Sequence, residues 1–240
     1  MADVASIIPE LVSANHILVR HGIVDAFGHV SARHPDRADR FLLSRNRAPA
    51  LISAEDILEF DLDGAPILSD HPPLYLERFI HAALYRTRAD VGAVVHSHSP
   101  SVIPFGAARD ACLRPVSHMA GFLGGGAPIY EIRDSVGTGS DLLIRDNALG
   151  DSLARAIGAA PVVLMRGHGA TAVGRDIPQA VFHAIYTEWN ARIQANTLAL
   201  GSPIYLTPEE GVAAAAANDG QIYRAWEYWK IEVEHQNEQN

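Results

Sequence analysis

The sequence predicts an α/β fold, because segments with helical spacing of apolar residues alternate with apolar runs too short to be helices. Val4, Ile7, Ile8, Leu11, Ala14 and Leu18 recur on one helix face, and a second long periodic stretch opens at Asp176 ahead of Pro178. Between these segments, residues 29–32, 41–44, 57–61, 91–98 and 162–165 are short apolar runs bounded by Pro, Asn, Asp or Gly, the pattern of strands.

Taken in order, the first helix stops at Gly22, a residue suited to a helix C-terminus. Strands follow from residue 26 to about residue 60, and Asp61-Leu62-Asp63-Gly64 reads as a hairpin turn. Pro72-Pro73 suits the first turn of a helix carrying Leu76, Phe79, Ile80, Ala83 and Leu84 to about Arg88. The strand 91–98 comes directly after it. Residues 121–128, rich in Gly and Pro, form a loop, 147–157 a helix, and 162–165 a short buried strand. The helix opened by Asp176 ends at Gly201, and Thr207-Pro208-Glu209-Glu210 is a capping-box start for a final helix. No internal repeat is present, and the alanine run 213–217 is simply helix-prone. Nothing reads as a linker between independent folds, so residues 1–240 are expected to form one domain.

Composition excludes several classes. With 48% hydrophobic residues, 20% charged residues and a net charge of -9, the chain reads as an ordinary soluble globular protein. Its 19 basic residues are scattered among 28 acidic ones, which leaves no positive stripe for a nucleic-acid backbone. No apolar run reaches bilayer-spanning length and the N-terminus lacks a signal-peptide pattern, so no membrane partner and a cytoplasmic location are expected. The single cysteine, Cys112, rules out an intramolecular disulfide or a cysteine-based zinc site and is expected to be a buried or half-buried thiol. Twelve histidines point instead to metal or proton chemistry.

Side chains two apart on a strand share a face, so His96 and His98 converge while Ser97 points away. Such a pair is also common as half-buried rings satisfied by backbone groups, and a metal needs a third ligand. Met165-Arg166-Gly167-His168-Gly169 offers one, since a histidine between glycines has open space around its ring. Three neutral imidazoles with a vacant position characterise a catalytic metal site. Glu77, in the first turn of the helix leading to the His96 strand, can fold back beside that metal; an acid placed there by the helix dipole alone is the competing reading.

Glu77, the run 85–98 ending in His96-Ser97-His98, and Arg166-Gly167-His168-Gly169 together closely resemble the class II aldolase/adducin family, over residues 8–206. Phe27-Gly28-His29-Val30-Ser31-Ala32-Arg33 and Leu43-Ser44 match the family's two substrate-anion loops. The resemblance implies a three-layer α/β/α sandwich with a largely antiparallel central sheet, assembled as a homotetramer with active sites at subunit interfaces. It also implies one divalent metal ion per subunit on His96, His98 and His168, zinc or manganese before iron or cobalt, with Glu77 as catalytic acid/base. His118 stands where the family places a group that reaches the substrate across an interface. His16, His21, His34, His71, His81, His183 and His235 are expected in solvated or structural roles on helix surfaces or in loops.

The sequence departs from the sugar-phosphate aldolases of this family. Gly28-His29, Ser44-Arg45 and Pro73-Leu74-Tyr75-Leu76 replace much of the hydroxyl and backbone cradle for a phosphate dianion. Leu74, Tyr75 and Leu76 offer apolar or stacking surface, and His29 and Arg45 can donate to a carboxylate. His29, Ser31, Ser44, Arg45, Tyr75 and His118 are therefore the expected substrate-binding residues. The pairing of Gly-His-Val-Ser with Leu-Ser-Arg resembles the branch of metal-dependent decarboxylases of hydroxylated aromatic dicarboxylates such as dihydroxyphthalate, which suggests a role in aromatic compound catabolism. Glu77 is expected to have a carboxyl raised by burial so that it can serve as the acid. The alternatives are a class II aldolase acting on an unphosphorylated hydroxy-ketone or keto acid, an adducin-like scaffold without catalysis, and an iron-dependent oxygenase.

Overall fold

The computed structural model describes residues 3–238. Its first helix, α1 (Val4–Arg20), starts where the Asp3 carboxylate accepts from the Ser6 backbone N–H at 2.8 Å and the Ser6 hydroxyl closes a capping box. The chain then forms β1 (His29–Arg33), β2 (Arg40–Ser44) and β3 (Ile57–Asp61), followed by α2 (Arg78–Thr87) and β4 (Ala93–Ser97). Short helices α3 (Ile103–Ala107) and α4 (Arg133–Val136) flank β5 (Ile129–Tyr130), and α5 (Asn147–Ile157) leads to β6 (Val162–Met165) and β7 (Gly169–Gly174). Three helices complete the chain: α6 (Ile177–Leu200), α7 (Pro208–Asp219) and α8 (Ile222–Glu238).

The strands make one sheet in the order β3-β2-β1-β4-β7-β6-β5, antiparallel throughout except for the parallel β5–β6 edge. Successive side chains go to opposite faces. Val30, Ala32, Ala93, Val95, Leu164 and Ala172 pack with α1, α6 and α8, while Phe41, Leu43, Val94, Val163, Met165 and Val173 pack with α2 and α5. The sheet is therefore buried on both sides and the expected three-layer α/β/α sandwich forms. The same alternation decides where the polar residues point: His29 and Ser31 on β1, and His96 on β4, are out of phase with Val30, Ala32 and Val95 and so face the α2 layer.

Several elements differ from the sequence expectation. The helix placed at Pro72-Pro73 begins only at Arg78, because the Pro73 carbonyl accepts from the Asn46 backbone N–H at 2.8 Å and ties that segment to the β2–β3 connection. β7 escaped notice because Gly169-Ala170-Thr171-Ala172-Val173-Gly174 has little apolar alternation; its small residues permit close approach, and a Cβ on Gly169 would come within 2.0 Å of the Ser97 carbonyl. β5 is two residues long, too short to leave a pattern. The single final helix is two, with a break at Gly220 that lets α8 return across α1, where Trp226 Nε1 donates to Glu10 at 2.6 Å. Cys112, expected to be covered, is exposed. Among the described residues no helix is long and apolar enough to cross a membrane.

Candidate metal centre

β4 pairs with β1 on one side and β7 on the other, with His96 opposite His29 and Thr171. His98 follows one residue past the end of β4, and His168 sits in the turn that joins β6 to β7. Glu77 is the residue from which α2 departs. Ligand atoms of Glu77, His96, His98 and His168 thus come within 4.8 Å of one another. The Nε2 atoms of His96 and His168 each lie 3.5 Å from Glu77 Oε2, and the Nε2 atoms of His98 and His168 face each other at 3.1 Å.

The donor set fits a divalent cation. His168 Nδ1 is 3.0 Å from the Leu142 carbonyl, an acceptor only, so Nδ1 donates and the neutral ring presents its Nε2 lone pair to the cluster. His96 Nε2 is buried with no hydrogen-bond partner. Glu77 Oε1 accepts from the Ile144 backbone N–H at 3.0 Å, which leaves Oε2 turned to the imidazoles. Segment 142–144 therefore orients two of the four groups. Leu142 does so in a left-handed backbone conformation (φ 70°), which is costly for a leucine and is held by its surroundings.

Burial pulls His98 down to about 4, with the neighbouring charges of His96 and His168 acting the same way, so it stands as a neutral ring. Burial would lower His168 too, but its contact with Glu77 outweighs this and raises it. The expectation that burial raises Glu77 does not hold. Burial does push the carboxyl up, yet the facing imidazoles of His96 and His168, each with Nε2 3.5 Å from Oε2, outweigh it and hold it well below the usual carboxylate range. Glu77 is an anion in this arrangement.

A cavity of about 520 Å³ opens onto the cluster, lined by Phe27, Gly28, His29, Asn46, Tyr75 and Leu143 together with Leu76, Glu77, His96 and His98. His29 lies against Tyr75, ring centroids 4.6 Å apart, and the Tyr75 hydroxyl turns away to donate to the Arg47 carbonyl. The cavity therefore meets Tyr75 as an aromatic wall, its hydroxyl engaged elsewhere. Gly28 is needed just before His29, since at φ 96° a Cβ would meet Val24 Cγ1 at 2.5 Å.

The other expected substrate residues lie elsewhere. Ser31 and Ser44 are fully buried and absent from the lining. Arg45 points to Asp56, with Nε donating to Oδ1 at 2.5 Å, and His118 is exposed on a 3₁₀ segment (His118–Leu123) where its carbonyl accepts from Asn218 at 2.7 Å. His81, expected on a surface, is wholly buried against His29. Phe27 opens the Phe27–Arg33 motif but is not among the expected substrate residues, Asn46 directly follows the Ser44-Arg45 pair, and Leu143 has no motif to mark it.

Asp56 explains the turn of Arg45. Burial would raise its carboxyl, but donation from Arg45, the Ser53 backbone N–H and hydroxyl, and Arg47 holds it far below the usual range. A depressed carboxylate stabilises the fold in full above its unfolded-chain value of about 3.9, and the contribution falls away as pH drops below that toward the folded value. Asp56→Asn is therefore expected to lower the Tm at pH 7, with the gap to wild type shrinking between pH 4 and pH 2 in thermal melts. A gap that widened with acid would contradict this.

Residues 9–195 match the family described as Class II Aldolase and Adducin N-terminal domain. The decarboxylase tropJ of Talaromyces stipitatus is 40% identical over 93% of this chain and 92% of its own length. A 3,4-dihydroxyphthalate decarboxylase of Arthrobacter keyseri is 31% identical over 83% of this chain and 82% of its own. Among solved structures, an L-fuculose 1-phosphate aldolase from Glaciozyma antarctica PI12 superposes with a TM-score of 0.76 at 21% identity, covering 95% of this chain and 88% of that one, a likeness of fold. The chain belongs to the class II aldolase and adducin family.

Proposed function

We propose that the chain is a metal-dependent lyase that decarboxylates a hydroxylated aromatic carboxylic acid of the dihydroxyphthalate type. The observation that carries this is the joining of a three-histidine, one-carboxylate cluster to a cavity walled by Tyr75, Phe27, Leu76 and His29. Rings and aliphatic groups suit the flat faces of an aromatic substrate, and His29 offers a nitrogen to its carboxylate. The decarboxylase relatives support the same reading. The homotetramer and a His118 reaching across its interface, both implied by the family resemblance, belong to this proposal.

His96, His98 and His168 would hold the cation, with Glu77 beside it. A divalent metal there would supply a Lewis acid for the ring oxygen on which negative charge builds. Glu77, anionic and fixed by the Ile144 N–H, accepts the proton of a ring hydroxyl through Oε2. Glu77 then gives that proton to the ring carbon bearing the carboxylate, which leaves the ring oxygen as a ketone. As the bond from that carbon to the carboxylate breaks, its electron pair restores the aromatic ring and returns the negative charge to the ring oxygen, carbon dioxide leaves, and solvent re-protonates the oxygen. Tyr75, half-buried against His29, offers an aromatic surface for the substrate ring.

Incubating the protein, loaded in turn with zinc, manganese, iron and cobalt, with a panel of hydroxyphthalates and hydroxybenzoates should release carbon dioxide from at least one of them. Cleavage of an unphosphorylated hydroxy-ketone to an aldehyde, with no carbon dioxide across the panel, would replace this reading with the aldolase one.

A further inference from the structure

Behind the cavity wall, four side chains form an unbranched hydrogen-bonded line into the α2 layer. His29 Nδ1 meets His81 Nε2 at 2.6 Å, His81 Nδ1 meets Ser31 Oγ at 2.5 Å, and Ser31 Oγ meets the Tyr85 hydroxyl at 2.8 Å. Ser31 and His81 are 0% exposed and Tyr85 is 2% exposed, so each O–H and N–H has to find its acceptor within the line. Burial keeps the Tyr85 phenol protonated and pulls His81 down to about 3, so the phenol at the end of the line and the imidazole at its middle are both neutral. The Tyr85 hydroxyl meets Ser31 Oγ, and its other contact, with the Val94 backbone, favours the phenolate and so is a donor to it, which leaves Ser31 Oγ as the acceptor of the phenol proton. Ser31 is left to donate to His81 Nδ1. An imidazole that accepts at one nitrogen donates from the other, so His81 Nε2–H donates to His29 Nδ1. His29 must then carry its own proton on Nε2. The reverse order would strand the phenol proton in a dry core.

We propose that Ser31 and His81 are positioning residues that fix His29 as its Nε2–H tautomer, with Tyr85 closing the line behind them, so that the cavity wall next to His96 presents a hydrogen-bond donor. The ring of His29 lies 5.1 Å from that of His96, and Nε2 is the nitrogen left for the cavity. A donor there selects for an anionic oxygen and against a substrate that can only donate; that this oxygen is a carboxylate rests on the function proposed above. Ser31 thus serves the substrate through two imidazoles and not by touching it.

Long-range proton–nitrogen spectra of protein labelled with ¹⁵N-histidine, metal-free and zinc-loaded, read the tautomer directly, with His29 assigned by loss of its signals in His29→Asn. Wild type should show His29 protonated on Nε2. Tyr85→Phe should keep that tautomer, because the Ser31 hydroxyl still has His81 Nδ1 as its acceptor, whereas Ser31→Ala should release it to a mixture and Ser31→Thr should restore it. Both deletions remove one hydroxyl from the same buried group, so simple loosening would affect them alike. Protonation on Nδ1 in wild type overturns the proposal even where a variant does not fold, and so does an equal response of Tyr85→Phe and Ser31→Ala. On a turned-over hydroxyphthalate, Ser31→Ala should raise KM by about tenfold or more, the loss of a hydrogen bond to a charged group. The expected tautomer with no decarboxylation leaves the relay standing and removes the decarboxylase reading; the opposite pair of results removes only the relay.

Discussion

Glu77→Gln is expected to lower kcat for decarboxylation by about 10²–10⁴-fold, the scale of losing a positioned general acid/base. The substitution is nearly isosteric, and the amide oxygen can still accept from the Ile144 N–H, so the side chain should keep its place. What it loses is the lone pair and charge on Oε2, the atom 3.5 Å from both His96 Nε2 and His168 Nε2. Glu77 is 7% exposed and the facing imidazoles hold its carboxylate well below the usual range, so, as with Asp56→Asn, the Tm of the metal-free variant should fall at pH 7, and turnover is compared well below that Tm. Metal content by elemental analysis should stay close to wild type, since three imidazoles remain. Turnover within a few-fold of wild type would mean that another group carries the proton, and His29 would be the first to test.

Glu77 and the three histidines could be picked out in the sequence because strand alternation and a glycine-flanked turn leave periodic marks. His81 and Tyr85 were not, although a mark existed: Glu77, His81 and Tyr85 are spaced four apart along α2, one helix face, opposite His29 and Ser31 spaced two apart on β1. The spacing alone is ambiguous, because a polar face on a helix ordinarily looks to solvent and only the neighbouring strand shows that it does not. Segment 142–144 had no mark at all. Its function comes from a carbonyl and an N–H aimed by backbone dihedrals, and any residue carries those groups. The direction of the Glu77 shift is illegible in sequence for a related reason: the apolar flank 74–76 is visible there, but the facing imidazoles that outweigh burial come from elements far along the chain. Arg45 likewise reads as an open cation until the fold brings Asp56 to it.

His98→Ala separates a catalytic metal site from a scaffold that has merely kept the fold. His98 is the half-buried histidine that lines the cavity, so its removal opens the cluster to water without leaving a large void in the core. Two imidazoles and a carboxylate then remain, and the affinity lost with a ligand should reduce bound metal from about one ion per chain to a small fraction after dialysis. Wild type should gain about 2.7 kcal/mol of stability at a metal concentration a hundred times Kd, read as a rise in Tm, and His98→Ala should gain little at the same concentration. Turnover should fall with the metal and recover in part when the ion is supplied in excess, which a misfolded variant would not do. A wild type that neither binds a transition metal nor shifts its Tm, and a His98→Ala variant indistinguishable from it, would instead fit a protein that uses the sandwich as a binding surface. With His168 donating from Nδ1 to Leu142, its Nε2 lone pair faces His98 Nε2 at 3.1 Å, a hydrogen bond while His98 carries its proton there. A cation that takes both lone pairs must displace that proton, and because the His98 ring is neutral the proton moves to its Nδ1, so metal binding to wild type should switch the His98 tautomer in ¹⁵N-histidine spectra, a change that His98→Ala lacks.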